Sequence, residues 1–191
     1  MISLIEKWDV ELFLWLNSQN NPFFDTIMWY ISGKYIWIPL YLFIIYMLVR
    51  KMKVRAIYAV LAVILVVALA DLASVHLLKN LVQRYRPSHN TVFADIVHIV
   101  NNYRGGLYGF VSSHAANTFG MAILTSLLMR NRMYTILILI WASVVSYSRI
   151  YLGVHYPLDI AGGMITGTLL AFIVFIVYKK LNFTYIDGKH K

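Results

Sequence analysis

The chain contains no cysteine, which excludes disulfide cross-links and thiol chemistry. Charge is scarce as well: Asp, Glu, Lys and Arg make up 13% of 191 residues, where an ordinary soluble domain carries about 25%. Acidic residues are the rarer sign, 8 against 17 basic, and proline occurs only four times. No internal repeat or low-complexity tract breaks the chain, which reads as one domain over residues 1–191. A cleavable signal peptide is not expected, because Glu6, Asp9 and Glu11 stand where its apolar core would lie. What fills the chain is apolar: 60% of residues are hydrophobic and the mean hydropathy is +0.67. Both disorder and a soluble fold are excluded, and an all-α integral membrane protein is expected, at about 20 residues per span.

Four apolar runs are long enough to cross a bilayer: residues 57–79, 110–129, 133–150 and 158–178. A fifth, about 26–49, is broken at Gly33-Lys34, so the expectation is a bundle of five or six transmembrane helices over 26–180. Residues 1–20 form a separate segment. There Ile2, Leu4, Ile5, Trp8, Leu12, Phe13 and Trp15 alternate with acids in the pattern of an amphipathic helix lying along the membrane interface. Trp29 and Trp37 fit an interfacial aromatic belt.

Charge orients the spans. The loop 50–55 holds four basic residues, the turn 130–132 two and the tail 179–191 four, all on one side if five spans alternate. The positive-inside bias makes that side the cytoplasm. The long loop of about 79–110 then lies on the opposite, outer side of the membrane. Yet it carries Lys79, Arg84, Arg86 and Arg104 with Asp95 as its one acid. Positive charge against the topology bias points to phosphate binding, and to a phosphorylated membrane lipid rather than a nucleic acid as partner.

That outer level gathers reactive groups from three segments. Lys79, Arg86 and Pro87 lie at and just after the end of the run 57–79, Ser112, Ser113 and His114 lie near the start of 110–129, Ser148 and Arg149 end 133–150, and His155 and Asp159 flank Pro157 at the start of 158–178. A helix start such as 112–114 offers unpaired N–H groups to an anion. In phosphoryl transfer the cations neutralise the phosphate oxygens. One histidine attacks phosphorus with an aspartate fixing its tautomer, and a second protonates the leaving alkoxide. This scheme requires neither metal nor cofactor. A zinc site is disfavoured by the crowd of cations around the two histidines.

Three motifs resemble the signature of the type 2 phosphatidic acid phosphatase superfamily. KNLVQRYRP at 79–87 is similar to its K-x6-R-P, and SRIYLGVHYPLD at 148–159 to its S-R-x5-H-x3-D. FVSSHAAN at 110–117 resembles P-S-G-H, with Val111 and Ser113 in place of proline and glycine. The resemblance spans roughly 20–180. It implies His155 as nucleophile, Asp159 as its orienting partner and His114 as general acid. It further implies Lys79, Arg86 and Arg149 as phosphate-binding cations, with Ser112 and the Ser113 N–H as donors. If position 113 requires a positive φ, serine is strained there; otherwise its hydroxyl adds a hydrogen bond.

The expectation is therefore a metal-independent lipid phosphate or diphosphate phosphatase working through a phosphohistidine. Undecaprenyl diphosphate, a lipid A phosphate and phosphatidylglycerol phosphate are its candidate substrates. A lipid phosphotransferase and a non-enzymatic lipid-phosphate transporter are the rivals. Arg84 and Arg104 are candidates for recruiting a polyanionic head group, and His89 and His98 read as loop surface. Asp71 and His76 either hold a buried polar contact or border the substrate path.

Overall fold

The computed structural model describes the backbone of residues 4–187 and the side chains of 4–181. Ile2, Lys189 and Lys191, which entered the amphipathic and charge readings, lie outside the described residues. The chain is helical: α1 Leu4–Ser18, α2 Pro22–Ser32, α3 Ile38–Met52, α4 Ala56–Leu72, the four-residue α5 Lys79–Val82, α6 Ser113–Met129, α7 Arg132–Tyr151 and α8 Pro157–Asp187. Three helical segments among the described residues are long and apolar enough to cross a membrane: Tyr35–Val82, Arg132–Tyr151 and Pro157–Leu181. The first, 48 residues, would far exceed a hydrocarbon core about 30 Å thick if straight. It reverses at Lys53 (φ 53°, ψ −128°), and its two legs, α3 and α4, pack on each other.

Helix α6 is the centre of the bundle, packed by α4, α7 and α8. Its closest partner is α8, because Gly163 and Gly167 bring the two backbones together. A Cβ at Gly167 would sit 2.1 Å from the Ala116 carbonyl oxygen. Small residues four apart are the usual means of close helix approach in lipid, where van der Waals contact replaces the hydrophobic drive. Leu124, Ala122, Val66 and Ala171 fill the middle. The outer faces of α3, α4, α7 and α8 expose Phe43, Leu61, Leu137 and Phe172.

Helix α1 lies across one end of α7 and α8 and turns a mainly polar stripe toward them. Asp9, Phe13 and Asn17, spaced four apart, are its buried stripe, while Leu4, Ile5, Trp8 and Trp15 stay exposed. The inner stripe is two-thirds polar because it meets helix ends, whose carbonyls have no intrahelical donor. Asn17 Nδ2 donates to the carbonyls of Tyr151 at 2.9 Å and Ile150 at 3.2 Å, and Asn17 Oδ1 accepts from His98 N at 2.8 Å.

Trp37 and Trp29 both make ring contacts with other elements. Trp37 points inward, edge-on to Trp141 at 5.6 Å, and its Nε1 donates to the Ile31 carbonyl at 2.8 Å. Trp29 packs against Tyr103. His98 is not loop surface. Its Nε2 is 2.8 Å from Asp25 Oδ1, which also accepts from Tyr151 Oη at 2.7 Å.

Candidate active site

The site sits where α5, α6, α7 and α8 end or begin at one level of the bundle, under the segment 83–112. That segment folds back as a short ribbon: Arg86 N donates to the Leu107 carbonyl at 3.1 Å and Gly109 N to the Arg84 carbonyl at 2.8 Å. Gly109 must be glycine for a spatial reason, since a Cβ there would lie 2.8 Å from Asp159 Oδ2.

His155 and Asp159 are four residues apart, across the start of α8. His155 Nδ1 is 3.3 Å from Asp159 Oδ2, and Arg86 Nη1 is 3.0 Å from His155 Nε2. A guanidinium can only donate, so Nε2 carries the lone pair and Nδ1 the proton. The imidazole is neutral, with its basic nitrogen turned toward the arginines. Burial pushes the His155 pKa well below the usual histidine range, and Arg86, Arg149 and Lys79 push it further. His155 is 2% exposed and Asp159 fully buried.

Cations surround that nitrogen. Arg86 also donates to the Val154 carbonyl at 3.1 Å, and its Nε is buried without a partner. Burial and the neighbouring Arg149 draw its pKa down to about 10, which leaves it charged at neutral pH. Arg149 donates to Ser32 Oγ and, at 3.4 Å, to Tyr103 Oη, again with its Nε unpartnered. Lys79 Nζ donates to Ser113 Oγ at 2.9 Å. Two buried guanidiniums with unspent N–H groups, beside an ammonium, are matched to a tetrahedral oxyanion.

Lys79 is aimed by an irregularity in its helix. Residues Ala73–Leu78 form a π-helical turn. Eight residues of regular α-helix would set Asp71 and Lys79 about 80° apart, and absorbing one residue in a π turn reduces that to about 20°. Both residues therefore face the bundle, within electrostatic reach of each other.

At the start of α6 the N-cap Ser112 is fully buried. Its N–H is committed to the Asp159 carbonyl at 2.9 Å and its Oγ accepts from Ala115 N at 3.4 Å, so it braces α6 against α8. Ser113 is the first helical residue and is not among the positive-φ positions, so a side chain there carries no strain. Its hydroxyl is the added hydrogen-bonding group. His114 follows, beside Ser32 and close enough to the Arg149 guanidinium to feel its charge.

Arg84 is the residue whose place the sequence reading missed. It does not face solvent to recruit a head group but lies behind the histidine. Nη1 is 3.1 Å from Asp159 Oδ1, Nη2 is 2.6 Å from Asp9 Oδ2, and the guanidinium stacks 3.9 Å over the Tyr156 ring. Asp9 Oδ1 accepts in turn from Leu158 N at 2.8 Å. Arg104 ties the loop together, donating to the Ser88 carbonyl at 2.8 Å. His89 lies near the Gly105 carbonyl, and His76 is exposed on its helix.

Comparison with known proteins places the chain in a family. The family model described as the PAP2 superfamily matches residues 55–183. The chain belongs to that family, and it is a multi-pass membrane phosphatase. Lipid A 4′-phosphatase of Bacteroides thetaiotaomicron is 41% identical over 185 residues, 95% of this chain and 82% of the relative. Lipid A 4′-phosphatase of Porphyromonas gingivalis is 39% identical over 168 residues, 87% and 71% of the two chains. The crystal structure of the PAP2-type phosphatidylglycerolphosphate phosphatase of Bacillus subtilis superposes with a TM-score of 0.70 at 23% identity. It covers 92% of this chain and 87% of that one.

Proposed function

We propose that the protein removes a phosphate from a phosphorylated glycolipid of the lipid A type through a phosphohistidine on His155 Nε2. The observation that carries the mechanism is the pair of contacts on one imidazole, Asp159 at Nδ1 and Arg86 at Nε2. Nε2 attacks phosphorus, a P–N bond forms, and the P–O bond to the lipid alcohol breaks as His114 gives its proton to the leaving oxygen. Water then attacks the phosphohistidine, His114 takes a proton from it, and the P–N bond breaks to release inorganic phosphate. Lys79, Arg86, Arg149 and the Ser113 hydroxyl hold the non-bridging oxygens, and Asp159 balances the cation formed on His155. The lipid A type of substrate is supported by the two relatives acting on lipid A, each near 40% identity over most of this chain.

In this reading α3, α4, α6, α7 and α8 are five spans, and the loops at Lys53 and Arg130 face the cytoplasm with their basic residues. The site then faces the periplasm at the outer surface of the inner membrane. Purified protein in detergent with EDTA should release phosphate from a lipid A phosphate, and His155→Ala should release none. Transfer of the phosphate to a lipid acceptor without free phosphate would favour a phosphotransferase. Equal behaviour of wild type and His155→Ala in a lipid-binding assay, with no turnover by either, would favour a transporter.

A further inference from the structure

A cavity of about 660 Å³ opens beside His114 and runs down between α3, α4, α6 and α7. Of the eight site residues read from the sequence, His114 alone lines it. Its deep end is apolar, with Leu48, Val60 and Trp141, and its mouth carries Lys34, Asp71 and Asn117. From Val60 to Asp71 is eleven residues of helix rise, about 16 Å, the scale of a hydrocarbon chain of a dozen or so carbons.

The mouth has a definite hydrogen-bonding sense. Asn117 Nδ2 donates to Asp71 Oδ1 at 3.3 Å, and since a carboxylate only accepts, this fixes the amide's orientation. Asn117 Oδ1 is left buried without a partner. Two acceptors, one charged and one unsatisfied, thus stand at the entrance, on α4 and α6, with the Lys34 ammonium also at the mouth. Asn117 lies three residues after His114, on the same face of α6.

Resting on the mechanism above, we infer that this cavity is the leaving-group site and that Asp71 and Asn117 select an alcohol bearing hydrogen-bond donors. The general acid stands on the side from which the leaving group departs, and the cavity is what lies beyond it. The hydroxyls and amide N–H groups of an acylated sugar complement the two acceptors, while its acyl tails enter the apolar shaft. The leaving group of a diphosphate is itself an anion with only acceptor oxygens, so Asp71 repels it and Asn117 Oδ1 stays unpaired. A site built to receive donors rejects an analogue lacking them far more strongly than an apolar pocket rejects a missing methylene.

The test compares kcat/KM on three substrates: an acylated glucosamine phosphate, phosphatidic acid and a polyprenyl diphosphate. Wild type should prefer the sugar phosphate. In Asp71→Asn and Asn117→Leu the ratio of kcat/KM for the sugar phosphate to that for phosphatidic acid should fall about tenfold or more. A ratio is independent of how much of each variant folds. An unchanged ratio in both variants, or a wild type that prefers the diphosphate, overturns the assignment. Ala68→Phe, which narrows the shaft, should shift preference toward shorter acyl chains. Unchanged chain-length preference would place the tails outside the bundle and overturn that half. Failure of the mechanism itself looks different: wild type would release phosphate from none of the three, or His155→Ala would retain turnover.

Discussion

Arg84 places Nη1 3.1 Å from Asp159 Oδ1 and Nη2 2.6 Å from Asp9 Oδ2, so one guanidinium joins the first helix of the chain to the aspartate behind the histidine. Asp159 is held from three further directions, by Tyr156 N at 3.0 Å, by Nδ1 of His155, and through its carbonyl by Ser112 N. Of these, Arg84 is the contact that neutralises the carboxylate, and it acts on the reaction only through Asp159.

Arg84→Ala should therefore lower kcat about 10- to 100-fold, the range for losing a group that orients a reacting imidazole's partner, with a smaller change in KM. Arg84→Lys should recover little, because one ammonium cannot span two carboxylates and stack on Tyr156 as well. Asp9→Asn should fall between wild type and Arg84→Ala. Steady-state kinetics on one lipid phosphate checks all three, and a loss confined to KM would assign Arg84 to substrate binding instead.

Within the dyad, Asp159→Asn keeps the shape of the side chain but replaces an acceptor with an ambivalent amide, freeing His155 to adopt the other tautomer. The expected loss in kcat is about 10²- to 10⁴-fold, with the protein still folded and membrane-inserted. His155→Ala should abolish turnover, and acid-quenched wild type should carry acid-labile phosphate on a histidine that the variant lacks. Phosphate label on a different residue would overturn the nucleophile assignment.

The residues that make up the pocket were legible in the sequence because ionisable groups are expensive in a chain this apolar and therefore stand out. Lys79, Arg86, Arg149, His114, His155 and Asp159 could be grouped once the apolar runs placed their helix ends at one level. Arg84 was visible but its place was not, since each of its two carboxylates lies 75 positions away. The direction of α1 was hidden for a related reason: its polar residues satisfy carbonyls at the ends of other helices, a demand that periodicity within α1 cannot report. The reversal at Lys53 was legible as the basic loop 50–55 between two apolar runs, although the positive-φ turn that makes it uses neither glycine nor proline. Ser113 shows the opposite case, a departure from a motif whose consequence only backbone geometry could decide.

The buried imidazole ties stability to pH. Burial and then Arg86, Arg149 and Lys79 depress the His155 pKa, so below about pH 6.5 the unfolded chain takes up a proton there that the folded chain refuses. This stabilisation is complete above that pH and is lost as the pH falls toward the lower folded value. Nitrogen chemical shifts of labelled histidine should show His155 neutral, protonated on Nδ1, at pH 5.5. A midpoint near 6.5 for that residue would contradict the pocket's geometry.

The crossing of α6 and α8 links fold to catalysis more directly than any polar contact. Gly167 faces the Ala116 carbonyl so closely that an added Cβ would stand 2.1 Å from its oxygen, backbone against backbone, where no rotamer change gives relief. Gly167→Ala must spread the two helices. One of them carries His114 near its start and the other carries Asp159, with His155 just before it, so spreading enlarges the gap between the proton donor and the nucleophile. Overpacking of this kind costs about 1–3 kcal/mol or more, and a 1 Å misplacement of reacting groups can cost about 10² in rate. Gly167→Ala should thus lower both the thermal midpoint in detergent and kcat, although no atom of Gly167 touches the site. Gly106, with nothing within 4 Å of a built Cβ, supplies the control, and Gly106→Ala should leave both quantities near wild type. Equal stability and activity in Gly167→Ala would mean that the two helices do not approach as closely in the membrane.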